Sequence, residues 1–585
     1  MNTQYPKKEI VLNDKIEVIW DEIIEMSDGT KLRCDIFRPN DKNKYPVIIT
    51  YGPYGKWLHF SQLYSEQWER MCDDHPDVPK GSSNLYQNWE VVDPEKWITN
   101  GYIVIRVDSR GAGRSEGVMD LWSYQESKDF SECIEWAAQL DYSTGKVGIN
   151  GISYYGMNQW QVASLQPKSL TAMCVWEGAA DYYRELGHHG GIYCSFTEAW
   201  FQKQILTVQN GKGENGILGD IKGDWVSGPK TLTESQLKNN RFNLPEQILS
   251  NKLATDEFWT SRMPDFSKIN VPLLSSANWG GQGLHSRGNF DGFTRSASKD
   301  KWLEVHGIEH WTEFYTDYGV NIQKQFFDYF LKEIDNGWKD RPSINLLTRY
   351  PNEVFKENYY SSWPLENTSW KKVYLNAYNQ SLSKNNSPDS KVTYRGFSDG
   401  ITFLMDPLTE EAEITGPMSL KIFISTDTTD TDIFVVLRLF DEELKEVTFQ
   451  GAIDPHTPIS QGWLRASHRK LDKKLSKDYQ PYHSHDKEEA LKPGEIYELD
   501  VEVWPTSIVM PKNHRLALSI RGKDYAWPGG KVKGLGNLDD VFTGVGPFKH
   551  ENETDRPASI YDGNIIIYTG DKYPSNILLP YIEKK

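Results

Sequence analysis

The hydrophobic pattern of this chain changes near Trp363, and that change constrains the fold more than any other feature of the sequence. Before it, β-branched runs such as YIVIRVD (102–108) alternate with amphipathic stretches such as 124–140. Strands alternating with helices predict a mostly parallel sheet with helices packed on its faces. After it, short runs such as MSLKIFIST and HRLALSIRG follow one another with turn residues between them. That second pattern predicts an all-β sandwich or jelly roll.

The length of 585 residues exceeds what one hydrophobic core supports, so we expect several domains. Residues 181–265 interrupt the strand and helix alternation with aromatic residues and polar turns, as an inserted cap does. We therefore predict an α/β fold class for the N-terminal part, with a core over 1–180 and 266–350 and a cap over 181–265. The all-β domain is expected over 351–585.

Composition excludes several classes of function. Lys and Arg number 65 against 82 Asp and Glu, a net charge of −17, so the surface repels nucleic acid. No apolar run approaches the roughly 20 residues needed to span a bilayer, and the first residues lack a signal-peptide pattern. Five cysteines without regular spacing are expected to be reduced thiols. We expect a cytoplasmic enzyme that binds neither nucleic acid nor membrane.

The stretch GINGISYYG (148–156) is the strongest local signal for chemistry. It lies where a predicted strand ends and a helix begins, the place where a strained turn exposes a nucleophilic hydroxyl above a sheet. Ser153 is therefore the candidate nucleophile, and the N–H of Tyr154 could donate to an oxyanion. The general elbow pattern is G-x-S-x-G, whereas Gly156 stands three residues after the serine. An ordinary turn between strand and helix fits these residues equally well.

Several segments together resemble the cocaine esterase and X-prolyl dipeptidyl aminopeptidase family of serine hydrolases. The family elbow, G-x-S-Y-x-G, accommodates the glycine at position 156. The resemblance covers nearly the whole chain. Its segments are GISYYG, VDSRGAGRSEG, YGPYGKW and DYYRELG, with GPMSLKIFISTDTTDTDIFVVLRLFD, GWLRASHRKLD and PKNHRLALSIRGKDYAWP in the C-terminal part.

The resemblance implies an α/β-hydrolase core with an inserted helical cap and a C-terminal jelly roll. It also implies cleavage of a small ester or amide through an acyl-enzyme, with no cofactor and no metal, and an assembly of identical subunits. By motif, Tyr54 in GPYGK matches the tyrosine that stabilises the oxyanion together with the Tyr154 N–H. The alternative for Tyr54 is a turn tyrosine packed on the sheet edge.

The catalytic base is expected after the last core strands, since the order in this fold is serine, acid, histidine. His310 in HGIEHW matches the family histidine. His306 lies at the end of a strand and is expected to be a core residue. His188 and His189 precede the last core strands and are expected to belong to the cap or pocket.

The triad acid is where the sequence departs from the family pattern. The family has W-Y-D, but this chain has NWGGQGLH (278–285), with Gly281 in the place of the aspartate. Glu177 is our first candidate, because it ends a neighbouring strand and adjacent strand ends lie about 5 Å apart. Asp291 ranks second and is expected to be solvated on a helix, and Glu309 is expected at the surface. If neither candidate serves, a non-catalytic binding protein on a hydrolase scaffold becomes the alternative.

Aromatic residues of the cap are candidates for a substrate pocket, and they fit the cap core equally well. These residues are Trp176, Tyr182 and Tyr183, with Tyr193, Phe196 and Trp200. An X-prolyl dipeptidyl peptidase is a second reading, but it needs carboxylates around a free amino terminus, which the sequence does not identify. His483 and His485 could share a face, but we expect them in an exposed loop.

Overall fold

The structure is a computed structural model that describes residues 5–534 and 542–583. Its N-terminal half contains the strands β1 (Lys7–Val11), β2 (Ile16–Glu25), β3 (Lys31–Pro39), β4 (Tyr45–Gly52), β5 (Ile103–Asp108), β6 (Ser143–Ile152), β7 (Leu170–Trp176), β8 (His188–His189), β9 (Ile192–Tyr193), β10 (Leu218–Gly219), β11 (Asp224–Trp225), β12 (Leu273–Asn278), β13 (Lys301–His306), β14 (Ile344–Tyr350) and β15 (Val354–Tyr360).

The same half contains helices of 4 to 16 residues. They are α1 (Phe60–Leu63), α2 (Ser65–Asp74), α3 (Pro94–Ile98), α4 (Tyr124–Ala138), α5 (Tyr154–Ser164), α6 (Phe196–Trp200), α7 (Glu234–Asn239), α8 (Leu244–Ser250), α9 (Glu257–Thr260), α10 (Ser286–Arg295), α11 (Thr312–Tyr315) and α12 (Asp317–Lys332).

The main sheet has the order β1-β2-β3-β5-β4-β6-β7-β12-β13-β14-β15. Pairing is parallel from β5 through to β14 and antiparallel at both edges. Every residue of β5 is buried, as expected of a parallel strand covered on both faces. Because the strands are parallel, their carboxyl ends meet at one edge, where ligands bind in such sheets.

Helices cover both faces of this sheet. The helix α4 begins at Ser123, whose hydroxyl accepts the N–H of Glu126. Its apolar residues Phe130 and Ile134 pack in one core with alternate residues of the central strands. The helix α12 places Phe327 in the core on the opposite face. Full burial of a side chain of this size stabilises the fold by about 1.5–3 kcal/mol, so these two helices hold the central strands between two apolar layers.

The segment between β7 and β12 is an insertion, because those two strands are parallel neighbours. It contains two short hairpins, β8 with β9 and β10 with β11, and the short α-helices α6 to α9, with several single π and 3-10 helical turns. The longest of these helices, α8, has only 7 residues. Such short elements explain why the sequence shows patchy helical periodicity here.

The C-terminal half consists mainly of strands. They are β16 (Thr368–Asn376), β17 (Ser381–Ser383), β18 (Ser390–Arg395), β19 (Ile401–Met405), β20 (Ala412–Thr426), β21 (Asp432–Phe440), β22 (Glu446–Val447), β23 (Ser460–Arg465), β24 (Tyr497–Met510), β25 (Arg515–Arg521), β26 (Asn564–Thr569) and β27 (Asn576–Ile582), with one short helix, α13 (Ala558–Tyr561).

The strand pairings of this half close on themselves. They run β16-β27-β20-β24-β23-β21-β25-β19-β17 and return to β16. Closure removes most exposed strand edges and encloses an apolar core that includes Ile422, Val435, Leu518 and Ile567. A single pair, Arg349 with Ile508, links β14 to β24 and joins this half to the main sheet.

No helix among residues 5–534 and 542–583 has the length and hydrophobicity required to cross a membrane.

Candidate active site at the carboxyl edge of the main sheet

Ser153 occupies a strained turn between β6 and α5. Its backbone has φ 54° and ψ −115°, a conformation that residues other than glycine rarely adopt. The turn is held on both sides, because the Ser153 N–H donates to the Trp176 carbonyl at 3.1 Å and the Ser153 carbonyl accepts the Met157 N–H at 2.6 Å. Ser153 lines a cavity above the sheet edge. Strain of this kind is the signature of a nucleophile on a strand-to-helix turn.

The glycine three positions after Ser153 has a packing reason. A Cβ at Gly156 would lie 2.7 Å from the Trp176 carbonyl oxygen, so only glycine lets α5 approach the end of β7. The position two residues after the serine holds Tyr155, whose ring lies against Gly52 on β4. In this chain the glycine that lets α5 approach the end of β7 therefore stands one residue later than in G-x-S-x-G, and the turn at Ser153 is unchanged.

His310 lies in the loop after β13. Its backbone N–H donates to the Ala452 carbonyl at 3.0 Å, so the C-terminal half fixes the loop that carries this histidine. The imidazole also lines the cavity that contains Ser153. On one side it stacks against His285, with ring centroids 5.0 Å apart and planes 9° from parallel.

Glu177 follows β7 directly and reaches two histidines. Its Oε2 lies 2.7 Å from Nδ1 of His310, and its Oε1 lies 3.2 Å from Nε2 of His306. The backbone there has φ 42°, and the Glu177 N–H donates to the Ser276 carbonyl at 2.7 Å. The candidate ranked first from the sequence therefore contacts the candidate base.

The other acids considered from the sequence lie elsewhere. Asp291 on α10 accepts a hydrogen bond from Arg295 at 2.9 Å and is buried, not solvated as expected. Glu309 is also buried, where it pairs with Arg70 at 3.0 Å, so the expectation of a surface residue was wrong. Interhelical and loop packing, which local sequence does not report, buries both carboxylates.

Glu90 is a site residue that the sequence reasoning missed. Its Oε1 lies 2.9 Å from Nε2 of His310, so both ring nitrogens of that histidine face a carboxylate. The Glu90 carbonyl accepts the Ile152 N–H at 3.1 Å, which ties it to the strand that leads into Ser153. Its second oxygen, Oε2, is buried and has no hydrogen-bond partner. The one signal for it was a lone acid between Trp89 and Val91 in an apolar run.

The carboxylates and imidazoles shift one another's pKa. Burial would raise the pKa of Glu177, but His310 and His306 outweigh it and hold that pKa well below its ordinary value. Burial would lower the pKa of His310, yet Glu177 and Glu90 raise it to about 10. Burial raises the pKa of Glu90 to about 7, against the hydrogen bond from His310. The His310 ring thus lies between a carboxylate that stays ionised and one that titrates near neutral pH.

The two candidate oxyanion donors belong to residues in contact with each other, but only Tyr54 of the two lines the cavity. Tyr54 lines the cavity with Ser153, and its hydroxyl accepts the indole N–H of Trp200 at 3.1 Å, which leaves the phenolic proton for another acceptor. Tyr154 is the first residue of α5, where backbone N–H groups have no partner within the helix. The rings of Tyr54 and Tyr154 meet edge to face, 6.0 Å apart.

The cavity has a volume of about 520 Å³ and a largely aromatic wall. Phe196 and Trp200 line it, but Trp176, Tyr182 and Tyr183, expected in the pocket, do not. The other residues of the wall are Tyr54, Tyr64, Gln67, Trp89, Glu90, Ser153, Gln204, Leu284, His285, His310, Trp311, Ala452, Ile453, Pro547 and Phe548.

Internal packing accounts for the four aromatic candidates that lie outside the cavity, the fourth being Tyr193, whose hydroxyl donates to the Glu198 carboxylate at 3.0 Å. The ring of Trp176 meets Phe314 at 5.4 Å, Tyr182 packs on Trp122 at 5.2 Å, and the hydroxyl of Tyr183 donates to a backbone carbonyl at 2.7 Å. The alternative expectation, that these aromatic residues belong to the core, describes them better, since all are buried. Four lining residues that the cap pattern does not report, Ala452, Ile453, Pro547 and Phe548, come from the C-terminal half, and the other unexpected ones come from the N-terminal half.

The histidines His483 and His485 were expected in an exposed loop, and that was wrong. Both are buried, and Nδ1 of His485 lies 3.0 Å from Nδ1 of His468. Aromatic packing against the inserted segment draws the loop inward, since Tyr183 lies 5.0 Å from the His485 ring.

Comparisons with known proteins agree with the two-part architecture. Residues 28–312 match the family described as X-Pro dipeptidyl-peptidase (S15 family). Residues 336–577 match the X-Pro dipeptidyl-peptidase C-terminal non-catalytic domain. A CocE/NonD family hydrolase from Staphylococcus aureus, known from its crystal structure, is similar with 32% identity and a TM-score of 0.82, covering 97% of this chain and 94% of that chain.

Two curated relatives are similar at lower identity. A cocaine esterase from a Rhodococcus species is 21% identical over 96% of this chain and 98% of its own length. An Xaa-Pro dipeptidyl-peptidase from Streptococcus gordonii is 22% identical over 32% of this chain and 32% of its own length.

Proposed function

Because this chain belongs to the CocE/NonD family of serine hydrolases, we propose that it cleaves a small carboxylic ester or amide through an acyl-enzyme on Ser153. The observation that carries the proposal is the convergence of three groups at one cavity. Ser153 stands on its strained turn, His310 lines the same cavity, and the Glu177 carboxylate lies 2.7 Å from Nδ1 of that histidine. A nucleophile, a base and an orienting acid are the parts that acyl transfer needs.

In the proposed first half-reaction, the Ser153 hydroxyl attacks the substrate carbonyl and loses its proton to Nε2 of His310. The Glu177 carboxylate holds the Nδ1 proton and stabilises the imidazolium that forms. Tyr54 and the Tyr154 N–H donate to the oxyanion, and His310 returns the proton to the departing alcohol or amine. Water repeats the sequence on the acyl-enzyme and releases the acid.

Glu90 sets a condition on this mechanism. In the structure Nε2 of His310 faces Glu90 at 2.9 Å. The base can accept a proton from Ser153 only when that nitrogen is released, by rotation of the ring or protonation and movement of the glutamate. Burial raises the pKa of Glu90 to about 7, so this release is coupled to pH near neutrality.

We further propose the finer fold assignment. The strand order with its parallel centre, and helices on both faces, supports an α/β-hydrolase core over 1–180 and 266–350. The insertion at 181–265 forms the cap, and the closed ring of strands, antiparallel except where β17 pairs with β19, supports a jelly roll over 351–585.

The substrate is expected to present a small apolar group. Phe196, Trp200, Trp89 and Phe548 form apolar walls in a cavity of about 520 Å³. Residues such as Phe548 come from the C-terminal half, so that half shapes the pocket although it contributes none of the proposed triad.

The test is hydrolysis of p-nitrophenyl esters of increasing acyl length, with a fluorophosphonate label located by mass spectrometry. We expect turnover of short esters, label on Ser153, and a loss of at least about 10⁴-fold in Ser153→Ala. Ser164→Ala, at the far end of the same helix, is the control and should keep its activity. A folded wild-type protein that neither turns over nor takes the label would support the binding-protein alternative.

A dipeptidyl peptidase is the second candidate, and Glu90 favours it. The sequence offered no carboxylate for a substrate amino terminus, whereas the buried, unpartnered Oε2 of Glu90 lies at the cavity wall. An ammonium group there would pair with Glu90 and release His310. Glycyl-prolyl p-nitroanilide distinguishes the two candidates: faster cleavage than of p-nitrophenyl butyrate would select the peptidase.

A further inference from the structure

Three potential metal ligands meet where the inserted segment contacts the C-terminal half. They are His189 on β8, Cys194 just after β9, and His550 in the loop between β25 and α13. One ligand atom from each lies within 4.8 Å of the other two, and all three side chains are buried. None of them lines the cavity of Ser153.

The hydrogen bonds around the two histidines leave one position between them for a cation. Nε2 of His189 faces the Glu185 carbonyl at 3.1 Å, and in the tautomer that donates this N–H, Nδ1 of His189 keeps its lone pair. Nδ1 of His550 faces a carboxylate oxygen of Asp524 at 2.7 Å and also donates. The remaining nitrogens, Nδ1 of His189 and Nε2 of His550, face each other at 2.9 Å. Two lone pairs so placed require a shared proton or a metal ion.

The outer contacts match those of metal-binding histidines. Such histidines usually donate their second ring N–H to a carboxylate or a backbone carbonyl, which fixes the tautomer and directs the other nitrogen at the metal. His550 has the carboxylate of Asp524, and His189 has the carbonyl of Glu185. Asp524 is itself held, because it accepts the backbone N–H of His550 at 2.8 Å.

An apolar shell surrounds the cluster. The His189 ring lies 4.7 Å from Trp463, and the His550 ring lies 5.4 Å from Phe434. A dry surrounding strengthens the bond between a cation and its ligands. Access comes from the other side, where Asp524 and His550 line a surface cavity of about 1370 Å³ that is separate from the proposed active site.

We propose that Nδ1 of His189, Nε2 of His550 and the thiolate of Cys194 bind one divalent ion of borderline softness, with zinc the best match to two imidazoles and a thiolate. Binding releases two protons, one from the thiol and one from the position between the histidines. The local charge is then unchanged, because a divalent ion with a thiolate replaces one imidazolium and a neutral thiol. Asp524 balances that charge in both states.

The site would act as a clasp between two parts of the chain. His189 and Cys194 belong to the insertion after β7, whereas His550 belongs to the C-terminal half. A metal bound across that boundary stabilises the folded arrangement because the unfolded chain lacks the assembled site. The family resemblance implied no metal, and the sequence spacing gives no sign of this cluster because His550 lies more than 350 residues after Cys194.

The test uses the full-length protein after dialysis against a chelator, titrated with Co²⁺ and then Zn²⁺. We expect one equivalent of Co²⁺ to bind and to give a thiolate-to-cobalt charge-transfer band that Zn²⁺ removes. Zn²⁺ should also raise the midpoint of thermal unfolding, a measurement that needs no variant. Absence of the band together with an unchanged midpoint would overturn the proposal and leave a proton shared by the histidines.

Variants assign the ligands. Cys194→Ser should abolish the charge-transfer band, whereas Cys133→Ser, equally buried but in α4, should retain it. Asp524→Asn removes an outer partner and should weaken metal affinity by about 10- to 100-fold. A full band in folded Cys194→Ser would place the metal elsewhere and contradict the site.

Discussion

Two buried charge clusters, one in each half of the chain, differ in how their charges balance. In the C-terminal half, Arg465 pairs with Asp432 and Asp555, each at 2.9 Å, and Arg556 pairs with Asp432 at 2.8 Å. Two permanent cations meet two carboxylates, so every charge is compensated. Such a cluster joins loops through ion pairs in which each arginine faces a carboxylate.

At the carboxyl edge of the main sheet, three carboxylates face two imidazoles. Glu90 and Glu177 contact His310, and Glu177 and Glu304 contact His306. The three carboxylates outnumber the two positive charges that the imidazole rings can supply. Burial favours the neutral form of Glu90 and raises its pKa to about 7. Both clusters are buried, so the incomplete charge compensation around His310, and not burial alone, identifies the cluster that can transfer protons.

The largest expected effect tests the acid that orients the base. In Glu177→Gln the amide can donate to Nδ1 of His310 and select the wrong tautomer, so we expect kcat to fall by about 10⁴-fold. Steady-state hydrolysis of a p-nitrophenyl ester measures it. Asp291→Asn, which removes the other acid considered from the sequence, should change kcat only slightly. The opposite ranking would transfer the role to Asp291.

Substitutions in the charge-compensated cluster around Arg465 should lower the free energy of unfolding without changing kcat. Arg465→Met leaves Asp432 and Asp555 buried with one cation between them, which costs about 3–5 kcal/mol in the free energy of unfolding. Denaturant unfolding measures the loss, and folded protein should keep its kcat. Arg395→Met breaks an exposed pair with Asp562 and serves as the control, with no measurable change expected. A loss of kcat in folded Arg465→Met would contradict the prediction that this cluster contributes to stability and not to catalysis.

Removal of the phenolic donor tests the oxyanion assignment. In Tyr54→Phe we expect kcat to fall by about 10²- to 10³-fold with KM little changed, because the hydroxyl acts only as charge develops on the substrate oxygen. Tyr64→Phe loses a hydroxyl in the same cavity and is the matched control. Equal losses in the two variants would indicate a general effect of the pocket.

The smallest expected effect is a shift of the pH profile when the uncompensated carboxylate, Glu90, is removed. The Glu90 carboxylate stabilises protonated His310, so the free base forms only at higher pH. Glu90→Gln should lower the pKa of His310 and move the acidic limb of the kcat/KM profile to lower pH by about one unit or more. In Glu304→Gln, which faces His306, the limb should stay in place. If the acidic limb of the kcat/KM profile does not move in Glu90→Gln, then Glu90 does not contact His310 in the pH range where His310 titrates, and the prediction is wrong.

Local sequence was sufficient for much of the proposed site. The strands β4, β5 and β6 and the helix α5 follow from apolar runs and turn residues, but the elbow around Ser153 needed the family resemblance, because Gly156 departs from the general G-x-S-x-G pattern. His310 required a motif resemblance as well, because nothing in HGIEHW distinguishes it from a packed histidine. The pocket was less predictable, since Trp176 and Tyr183 have the pattern of buried residues whether or not they meet a cavity.

Backbone conformation depends on neighbours along the chain, so the residues alone predicted where strands alternating with helices give way to an all-β domain, and with the family resemblance they predicted the strained turn at Ser153. The carboxylates that surround His310 were fixed by tertiary packing. Glu90 and Glu177 lie 220 and 133 positions away from it. The order of strands in the sheet brings their ends together, and that order depends on packing across the whole core. Tertiary packing likewise brings His189 and His550 together, although they lie far apart in the sequence.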